Sequence, residues 1–531
     1  MDDKDLLAKP IPKEKFAFVN KDANIHDQKF DTKPVGYFKD AFRRFRKNKS
    51  SVVAAIIILI LVIYAVFVPI FSSSVARNVR DSRYAKMGPR TTWGYNIGIN
   101  GSTKKSYNEN LLLKYYAMGV GAEYRYDEEN NLEQHASFDE GSKSYYCPVV
   151  KRGNMTTVRQ GAAVNNMYDA NIDTYLGVGF IYAEFNYEQY NKLLNWQNET
   201  GLMVYYPMID TSNENCFDTT DPNFWYAASK LNSSKGAPLD TEGNIQKLSS
   251  PNFQFNDIYL RKDGVVQFYT RVGGGDLDTA SYKVRLLYYN YYRYLYGVEP
   301  NYIFGTDSSG YDLAYRMATG MRLSFILSIS VSIINFIIGA IYGSIEGYYG
   351  GAADLIMERI TDILVDVPFV VVATLFQLHF AAKVGGFVSI LFAFILTGWI
   401  GTASRVRSQF YRFKNSEYVF AARTLGASDA RIMWKHIFPN TLGTIITSSV
   451  LVIPGVIFSE SMLSFLGIIN LGSATSTSLG TMISEASKIW IDYPHLMIFP
   501  AIVISLLMIC FNLFGNGLRD AFNPTLRGAD E

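Results

Sequence analysis

The chain has 531 residues, enough for two or three domains, and a formal net charge of only +2. This argues against a nucleic-acid-binding protein, because the 50 Lys and Arg residues collect at the edges of apolar segments rather than on one soluble face. The 48% of hydrophobic residues occur in blocks too long for a soluble core. The composition therefore predicts an integral membrane protein.

Six segments are long and apolar enough to cross the ~30 Å hydrocarbon core of a membrane as helices. They are residues 52–71, 323–345, 363–380, 387–403, 441–465 and 495–514. A cleaved signal peptide is the alternative for the first segment. The basic stretch before it, residues 1–50, is far longer than the n-region of a signal peptide, so we expect the first span to be retained.

Basic residues predict which loops face the cytoplasm, because cytoplasmic loops carry an excess of Lys and Arg. Residues 41–49 and 405–440 are rich in Lys and Arg, whereas Lys488 is the only basic residue of 467–494. We therefore predict a multi-pass cell-membrane protein with both termini and the loop 346–362 in the cytoplasm. The predicted parts are a basic tail (1–50), helix 1 (51–71), an extracytoplasmic inserted domain (72–312), a membrane core with helices 2–6 (313–520) and a C-terminal tail (521–531).

The segment 72–312 is predicted to be a folded α+β domain, because its aromatic content is too high for a disordered segment. Residues 257–272 indicate a hairpin around Lys262-Asp263-Gly264, since Asp-Gly accepts the positive φ of a tight turn. The Tyr-rich run 286–297 is either a packed face of the domain or a helix or strand near the lipid headgroups.

Two of the three cysteines, Cys147 and Cys216, lie in this segment, and Cys510 lies in the last span. An extracytoplasmic location permits a disulfide between Cys147 and Cys216, but the spacing does not show that they are close.

The sequence predicts no catalytic residues, no metal site and no cofactor on this chain. The five histidines are scattered without ligand spacing. Neither a G-x-x-x-x-G-K-[ST] phosphate loop nor a G-x-S-x-G nucleophile elbow occurs. Enzymatic activity is therefore not expected, and energy for transport would come from another chain.

Two carboxylates lie within predicted spans, Asp366 near the inner end of one and Glu460 in the outer half of another. Each is either an ion-coupling group or a carboxylate at a helix end or interface with a hydrogen-bonded partner. Because a chain that drives ions usually has several such groups, we do not expect a proton-coupled carrier.

Gly339, Gly343 and Gly347 follow one another at every fourth position along the second span. Small residues at this spacing form a stripe on one helix face, which lets another helix approach closely. The partner is either a helix of the same chain or a second membrane chain.

The loop 417–440 is predicted to form a helix (417–425), a break at Gly426 and a second helix (430–438). Ser428 and Asp429 are candidate N-caps, and Pro439 is expected to end the second helix before the next span. Ala421, Ala422 and Gly426 have small side chains or none, so we expect a surface on which a partner protein can approach the backbone closely. An amphipathic helix lying on lipid headgroups is the alternative.

At these residues the chain resembles the permease subunits of ATP-binding-cassette importers, whose cytoplasmic loop carries E-A-A-x-x-x-G followed by I-x-P or L-P. The matching residues are Phe420-Ala421-Ala422, Gly426 and Ile437-Phe438-Pro439. More narrowly it resembles the C-type permease of the dipeptide and oligopeptide branch. The FGTD-x-x-G-R-D motif of this branch is nearly matched by Phe304-Gly305-Thr306-Asp307 and Gly310-Tyr311-Asp312. Residues 347–351 (GYYGG), 464–468 (SFLGI) and 515–520 (GNGLRD) also fit the branch.

The resemblance implies an all-α membrane permease with six transmembrane helices, the type I importer fold, and in this chain an α+β domain is inserted between helices 1 and 2. It implies import of di- or oligopeptides together with a second permease, two ATPase subunits that bind ATP and Mg, and an extracytoplasmic solute-binding protein. The coupling residues it implies are Glu417, Phe420, Ala421, Ala422, Gly426, Ala427, Ser428, Asp429, Ile437 and Pro439.

The chain departs from the family pattern at two places. Phe420 stands where the family has Glu, so the negative charge of that Glu is missing. Glu417, one turn earlier, is a candidate to replace it. The inserted domain stands where other members have a short connection, so its role does not follow from the resemblance. Two alternatives remain: a permease for nickel or another small solute, and a receptor or sensor, for which the tail after Gly515 is too short to hold an output module.

Overall fold

The structure, a computed structural model, describes residues 37–94, 97–122, 124–126, 132–134, 146–160, 163–212, 221–223, 259–273, 280–471 and 477–522. The first helices are α1 (Tyr37–Lys47) and α2 (Lys49–Phe71), which contains the whole first predicted span. Asn48 separates them, and its side chain accepts a hydrogen bond from the Ser51 N–H at 3.3 Å, which caps the start of α2.

Residues 72–312, which we call the inserted region, contain both helices and strands. The helices are α3 (Ser74–Asn78), α4 (Glu109–Ala122), α5 (Tyr187–Thr200) and α6 (Tyr288–Tyr296). The strands are β1 (Ser102–Asn108), β2 (Tyr124–Tyr126), β3 (Leu132–Gln134), β4 (Val149–Gln160), β5 (Ala163–Asp173), β6 (Phe180–Phe185), β7 (Tyr205–Tyr206), β8 (Arg261–Lys262), β9 (Val265–Val266), β10 (Tyr269–Val272) and β11 (Ser281–Leu287).

The pairings that involve these strands are antiparallel. One sheet has the order β1-β5-β4, and a second has β10-β11-β6 with β7 also paired to β11. β8 and β9 form the hairpin predicted around Asp263 and Gly264, whose φ angles are 52° and 81°. The positive φ values explain the Asp-Gly pair, because both residue types tolerate the left-handed region.

The side chains of the Tyr-rich run 286–297 are mostly buried or half-buried within the inserted region. After β11 the chain forms α6, with Tyr288, Tyr289, Asn290 and Tyr292 buried. Their polar atoms have partners: the Tyr288 hydroxyl donates to Asp81 at 2.5 Å, and the hydroxyls of Tyr292 and Tyr302 are 2.9 Å apart. Of the two predicted alternatives, the packed domain face is the one observed, since buried tyrosines need such partners.

The remaining helices form the membrane core. They are α7 (Leu313–Tyr349), α8 (Gly351–Val365), α9 (Phe369–Val384), α10 (Gly386–Gly398), α11 (Ile400–Phe413), α12 (Glu417–Thr424), α13 (Asp429–Arg431), α14 (Phe438–Val450), α15 (Val452–Phe465), α16 (Leu479–Ser487) and α17 (His495–Phe522). Within the described ranges, five continuous helical stretches are long and apolar enough to cross a membrane, or six if the bent pair α8 and α9 is one span.

The third predicted span, residues 363–380, is not one straight helix. α8 and α9 meet at an angle of 72°, with Pro368 at the start of α9 and Asp366 exposed at the break. Proline has no N–H and disfavours the helical conformation of the residue before it, which explains the break. The predicted loop 346–362 is also helical, apart from Gly350, whose φ is 67°.

Hydrogen bonds between helices show that α2 runs antiparallel to α17. The Ser51 hydroxyl near the start of α2 donates to the Leu513 carbonyl near the end of α17 at 3.0 Å. Close to the other end of α2, the Tyr64 hydroxyl donates to the Ala314 carbonyl of α7 at 2.7 Å. The end of α2 and the start of α7 therefore lie together, and the start of α17 lies beside them, because the rings of Phe499 and Phe304 are 4.7 Å apart. The inserted region is attached at this end of the helices.

A tight elbow, Phe304–Asp312, connects the inserted region to α7. The Thr306 hydroxyl donates to the Tyr84 carbonyl and accepts from the Met87 N–H at 2.9 Å. Gly310 has a φ of 87° and lies so close to the Asp81 backbone that a Cβ would overlap it. The elbow thus holds the first residues of the inserted region against the last ones.

Asp307 and Asp312 link the elbow to the first turn of α7. The Asp307 carboxylate accepts from the Arg316 guanidinium at 3.1 Å. Asp312 caps α7 by accepting from the Ala314 N–H at 2.8 Å. Burial raises the pKa of the Asp312 carboxyl to about 6, against the lowering effect of the backbone N–H groups that it accepts from.

Candidate functional site

The loop 417–440, which we call the coupling segment, begins with α12. This helix ends at Thr424, and Gly426 follows with a φ of 80°. No atom lies within 4 Å of the Cβ that a side chain at Gly426 would add. Glycine is therefore required here by the backbone conformation and not by crowding within the chain.

The second half of the coupling segment runs without interruption into the next span, which differs from the prediction. α13 continues through a π-helical segment, Ile432–Ile437, into α14, so Pro439 lies inside a continuous helix. The wider π turn accommodates a proline, because it releases the usual i−4 hydrogen bond that proline cannot make. Ser428 lies at the N-cap position, but its side chain makes no capping hydrogen bond.

Part of the small-residue surface predicted at Ala421, Ala422 and Gly426 faces the protein interior. Ala422 is 9% exposed and Ile437 is fully buried, so neither presents its side chain to a partner. They pack in one apolar cluster with Val419, Ile432, Met433, Tyr348, Val406, Phe410 and Ile445. The cluster attaches the coupling segment to α7, α11 and α14. Ala421 and Gly426 do lie at the surface.

Several large apolar side chains of the coupling segment face outward. Leu425 is 88% exposed, Phe420 48% and Trp434 42%. Phe420 was predicted as a coupling residue that lacks the family charge, whereas Leu425 and Trp434 were not predicted. Their signal in the sequence is a set of large apolar residues in a loop that is otherwise rich in charge. Glu417, at the start of α12, is also exposed.

Tyr348 ties the coupling segment to the end of α7. Its hydroxyl donates to the Asp429 carboxylate at 2.6 Å and accepts from the Arg423 guanidinium at 3.3 Å. Asp429, predicted as an N-cap, therefore bonds to a neighbouring helix. Lys414 adds a bond from its ammonium group to the Gly347 carbonyl at 3.0 Å. These bonds connect both halves of the segment to one helix.

A second connection, which the sequence did not predict, centres on Arg407 of α11. Its guanidinium bonds both oxygens of Asp354 at 2.6 and 3.0 Å and both oxygens of Glu358 at 3.0 Å. Glu346 lies 3.4 Å away. Planar guanidinium groups bind carboxylates in this two-point manner, which is geometrically specific. Arg407 thus holds α7, α8 and α11 together next to the coupling segment.

The three glycines of α7 pack against α11 of the same chain. An added Cβ would lie 2.7 Å from the Thr402 Cβ at Gly339 and 2.7 Å from the Arg407 carbonyl at Gly347. At Gly343 it would overlap the Ala403 carbonyl. Of the two predicted partners, a helix of the same chain occupies this stripe, so the stripe is not open to a second chain.

Glu460 is fully buried in α15 and has hydroxyl partners. Its carboxylate accepts from Ser324 of α7 at 3.2 Å and from Ser464 at 3.0 Å. This is the arrangement predicted for an interface carboxylate with hydrogen-bonded partners. Cys147 precedes β4, whereas Cys216 lies outside the described residues, so their pairing stays a prediction. Among the described residues, no group of three His, Cys, Asp or Glu side chains is arranged to hold a metal ion.

Comparison with known proteins identifies the family. Residues 335–528 match the family model of the binding-protein-dependent transport system inner membrane component. Residues 36–89 match the N-terminal TM domain of oligopeptide transport permease C. The chain is 42% identical over 225 residues to the oligopeptide transport system permease protein OppC of Bacillus subtilis, which is 42% of this chain and 72% of that protein. The chain belongs to this family of inner-membrane permeases.

A second relative agrees with the branch that the motifs predicted. The permease is 41% identical over 227 residues to the dipeptide transport system permease protein DppC of Lactococcus lactis, covering 43% of this chain and 64% of that protein. A solved structure of the MetNI methionine ABC transporter, inward facing, aligns with 38% of this chain and 94% of its own at 15% identity and a TM-score of 0.31. The two family matches leave residues 90–334 of the permease uncovered.

Proposed function

We infer that this chain is a permease subunit of an ATP-driven importer of di- or oligopeptides, and that it forms half of the translocation pathway. The observation that carries this function is the identity of 42% over 225 residues to an OppC protein and of 41% over 227 residues to a DppC protein. The names of these relatives favour peptides over nickel or another small solute. Uptake of labelled short peptides and of labelled nickel by the assembled transporter tests the choice directly.

The partners we propose are a second permease, two ATPase subunits that bind ATP and Mg, and an extracytoplasmic solute-binding protein. The coupling segment would dock on one ATPase through Phe420, Ala421, Leu425 and Trp434. Support comes from their exposure on a segment that is itself tied to the core, because large exposed apolar groups on an ordered surface are typical of protein interfaces. In this docking mode Phe420 would supply an apolar contact in place of the family Glu.

Movement of the ATPase would reach the membrane helices through the bonds of the coupling segment. Asp429 and Arg423 both bond Tyr348 at the end of α7, and Pro439 lies in the continuous helix that leads into α14. A shift of the docked segment would therefore move α7 and α14 together. ATP binding drives such a change only if the partner contacts differ between the inward-open and outward-open states.

For the orientation we propose a multi-pass cell-membrane protein with both termini in the cytoplasm and the inserted region outside. The basic residues of α1 and of the coupling segment support this side for them. The inserted region would dock or partly replace the solute-binding protein at the outer mouth. Deleting residues 72–299 with a short linker tests this role, since full uptake afterwards would contradict it.

Substitutions at Gly426 test the coupling proposal. We expect Gly426→Val to uncouple ATP hydrolysis from peptide uptake in the reconstituted transporter, because a β-branched residue is strained at a positive φ. Gly426→Asn is the matched control, because Asn tolerates the left-handed region and should retain more uptake. Normal uptake by the Val variant would remove this break from the mechanism.

Cross-linking provides an independent test of the docking surface. A cysteine placed at Leu425, which is 88% exposed, should cross-link to an ATPase subunit in the assembled transporter. A cysteine at Met433, which is 6% exposed, is the control and should not. Equal capture at both positions, or none at Leu425, would contradict docking at this surface.

A further inference from the structure

Two adjoining segments of the inserted region expose large apolar side chains. Trp93 is 73% exposed and Ile97 is 72% exposed on one segment. Val298 is 49% exposed and Ile303 is 57% exposed on the other. We call these four side chains the apolar face. Single exposed apolar residues are ordinary, but a group on two neighbouring segments indicates an interaction surface.

Both segments are held in place by backbone and side-chain bonds. In the first, the Thr91 N–H donates to the Ile99 carbonyl at 3.0 Å, and the Gly94 N–H donates to the Thr91 hydroxyl at 3.0 Å. The Ile97 N–H also donates to the Gly94 carbonyl at 3.1 Å, so Trp93 and Ile97 are exposed among described residues that bond to one another.

The two segments are also bonded to each other. Arg90 and Tyr302 exchange backbone hydrogen bonds of 2.8 and 2.9 Å, and the Asn301 amide donates to the Thr92 hydroxyl at 3.0 Å. Thr92, which contacts Asn301, directly precedes Trp93. Tyr302, which pairs with Arg90, directly precedes Ile303. The apolar face therefore lies on two segments that are bonded side by side.

Contacts with α17 place this surface at the level where the membrane span begins. The ring of Phe304, next to Ile303, lies 4.7 Å from the ring of Phe499 in the early part of α17. A Cβ added to Gly305 would lie 3.2 Å from His495, the first residue of α17. With a rise of ~1.5 Å per residue, Phe499 lies about 6 Å along the helix from His495. Ile303 is thus at the depth of the first turns of the span.

Other exposed residues at this membrane face have the same character. Trp490 is 52% exposed and Ile491 is 81% exposed just before α17, and Phe71 at the end of α2 is 76% exposed. Tryptophan is enriched where membrane proteins cross from hydrocarbon to headgroups, because its ring is apolar and its N–H is polar. The apolar face lies on the same side of the molecule as these residues.

We propose that the apolar face contacts lipid, with Trp93 and Ile97 inserted at the boundary between headgroups and acyl chains of the leaflet nearest the inserted region. Interfacial protein segments sit about 5–10 Å into this boundary. The contact adds to the elbow as a second support, so it fixes the inclination of the inserted region relative to the membrane. It depends on membrane residence and not on the transported substrate.

Fluorescence quenching by lipid tests the proposal without a transport assay. The permease is placed in phosphatidylcholine nanodiscs with and without brominated acyl chains, and the Trp93 signal is obtained as the difference between wild type and Trp93→Phe. We expect brominated lipid to remove most of this difference signal. Trp196→Phe is the matched control, because Trp196 packs against Tyr294 inside the inserted region and its difference signal should persist.

A Trp93 difference signal that brominated lipid leaves unchanged would overturn the proposal. A photo-crosslinking residue at position 97 provides a second measurement in the fully assembled transporter. Adducts with lipid are expected there. Adducts with a second permease or with a solute-binding protein instead would show that the apolar face is a protein interface, which would also overturn the lipid assignment.

Discussion

The Tyr348 hydroxyl donates to the Asp429 carboxylate at 2.6 Å and so joins the end of α7 to the first residue of α13. Arg423 bonds the same hydroxyl at 3.3 Å, which brings α12 into the connection. One phenol thus links the two halves of the coupling segment, on either side of Gly426, to a helix that crosses the core.

Tyr348→Phe removes this hydroxyl and keeps the ring. A hydrogen bond to a charged group contributes about 1.5–3 kcal/mol, so we expect looser coupling, seen as fewer peptides taken up per ATP hydrolysed. Tyr349→Phe is the control, because Tyr349 is 56% exposed and should change little. The measurement is uptake and ATPase rate on the same proteoliposomes. An unchanged ratio in Tyr348→Phe would show that the bond does not transmit the movement.

Gly343→Ala should destabilise the core, because the added methyl group overlaps the Ala403 carbonyl of α11. Overpacking at such a contact costs typically ~1–3 kcal/mol. Gly401→Ala is the matched control, since nothing lies within 4 Å of its added Cβ and Ala is favoured over Gly within a helix. Thermal unfolding of the detergent-solubilised chain is the measurement. We expect a lower melting temperature for Gly343→Ala only, and equal values would contradict close packing of α7 on α11.

Asp312→Asn should change how stability depends on pH. The pKa of Asp312 is raised from 3.8 to about 6, so between these values the folded chain binds more protons than the unfolded chain. Stability therefore falls as pH rises through this window, and the loss is complete above pH ~6, with a magnitude on the order of 2–3 kcal/mol. Asn still caps α7 but cannot ionise, so the variant should be more stable than wild type at neutral pH.

Unfolding midpoints of wild type and Asp312→Asn between pH 4 and pH 8 measure this difference. The two curves should diverge as pH rises. Asp492→Asn is the control. Among the described contacts, the exposed Asp492 carboxylate forms an ion pair with the Lys105 ammonium group at 3.3 Å, and ion pairs at the surface contribute little to stability. Parallel curves for Asp312→Asn and wild type would mean that the buried carboxyl does not set the dependence.

Glu460→Gln should leave peptide uptake largely intact, because the Gln side chain keeps an acceptor for one of the Ser324 and Ser464 hydroxyls and the other hydroxyl can turn to accept. Glu460→Ala should lower stability, since it leaves these hydroxyls without their partner. Uptake at several external pH values is the measurement. Loss of uptake in Glu460→Gln at every pH, with normal folding, would revive the ion-coupling interpretation.

Local patterns made part of this structure predictable from the sequence. Hydropathy located the membrane helices, and Asp263-Gly264 located a hairpin, because both signals depend on nearby residues. Gly426 was predicted as a break for the same reason, since only its own φ decides it. The helix before the break was predicted, but the helix after it continues into the next span, and neither Ser428 nor Asp429 caps it as predicted.

Long-range pairing accounts for what the sequence did not predict. Arg407 served in the sequence only as a marker of the cytoplasmic side, because its pairing with Asp354 and Glu358 exists only once α8 packs on α11. The charged residues of 346–362 therefore indicated a loop, whereas these residues form the end of α7 and most of α8. Pro439 misled for a related reason: a π turn, which no local rule signals, allows the helix to continue.

The pairing of Arg90 with Tyr302 has a practical consequence for protein engineering. The two residues face each other as at the base of a hairpin, and the Asp81 N–H donates to the Gly310 carbonyl at 3.2 Å beneath them. A short turn of about two residues can bridge two strands paired in this way. Replacing residues 91–301 with such a turn should therefore leave a minimal permease core whose membrane helices keep their positions, with its first family match, 36–89, still whole.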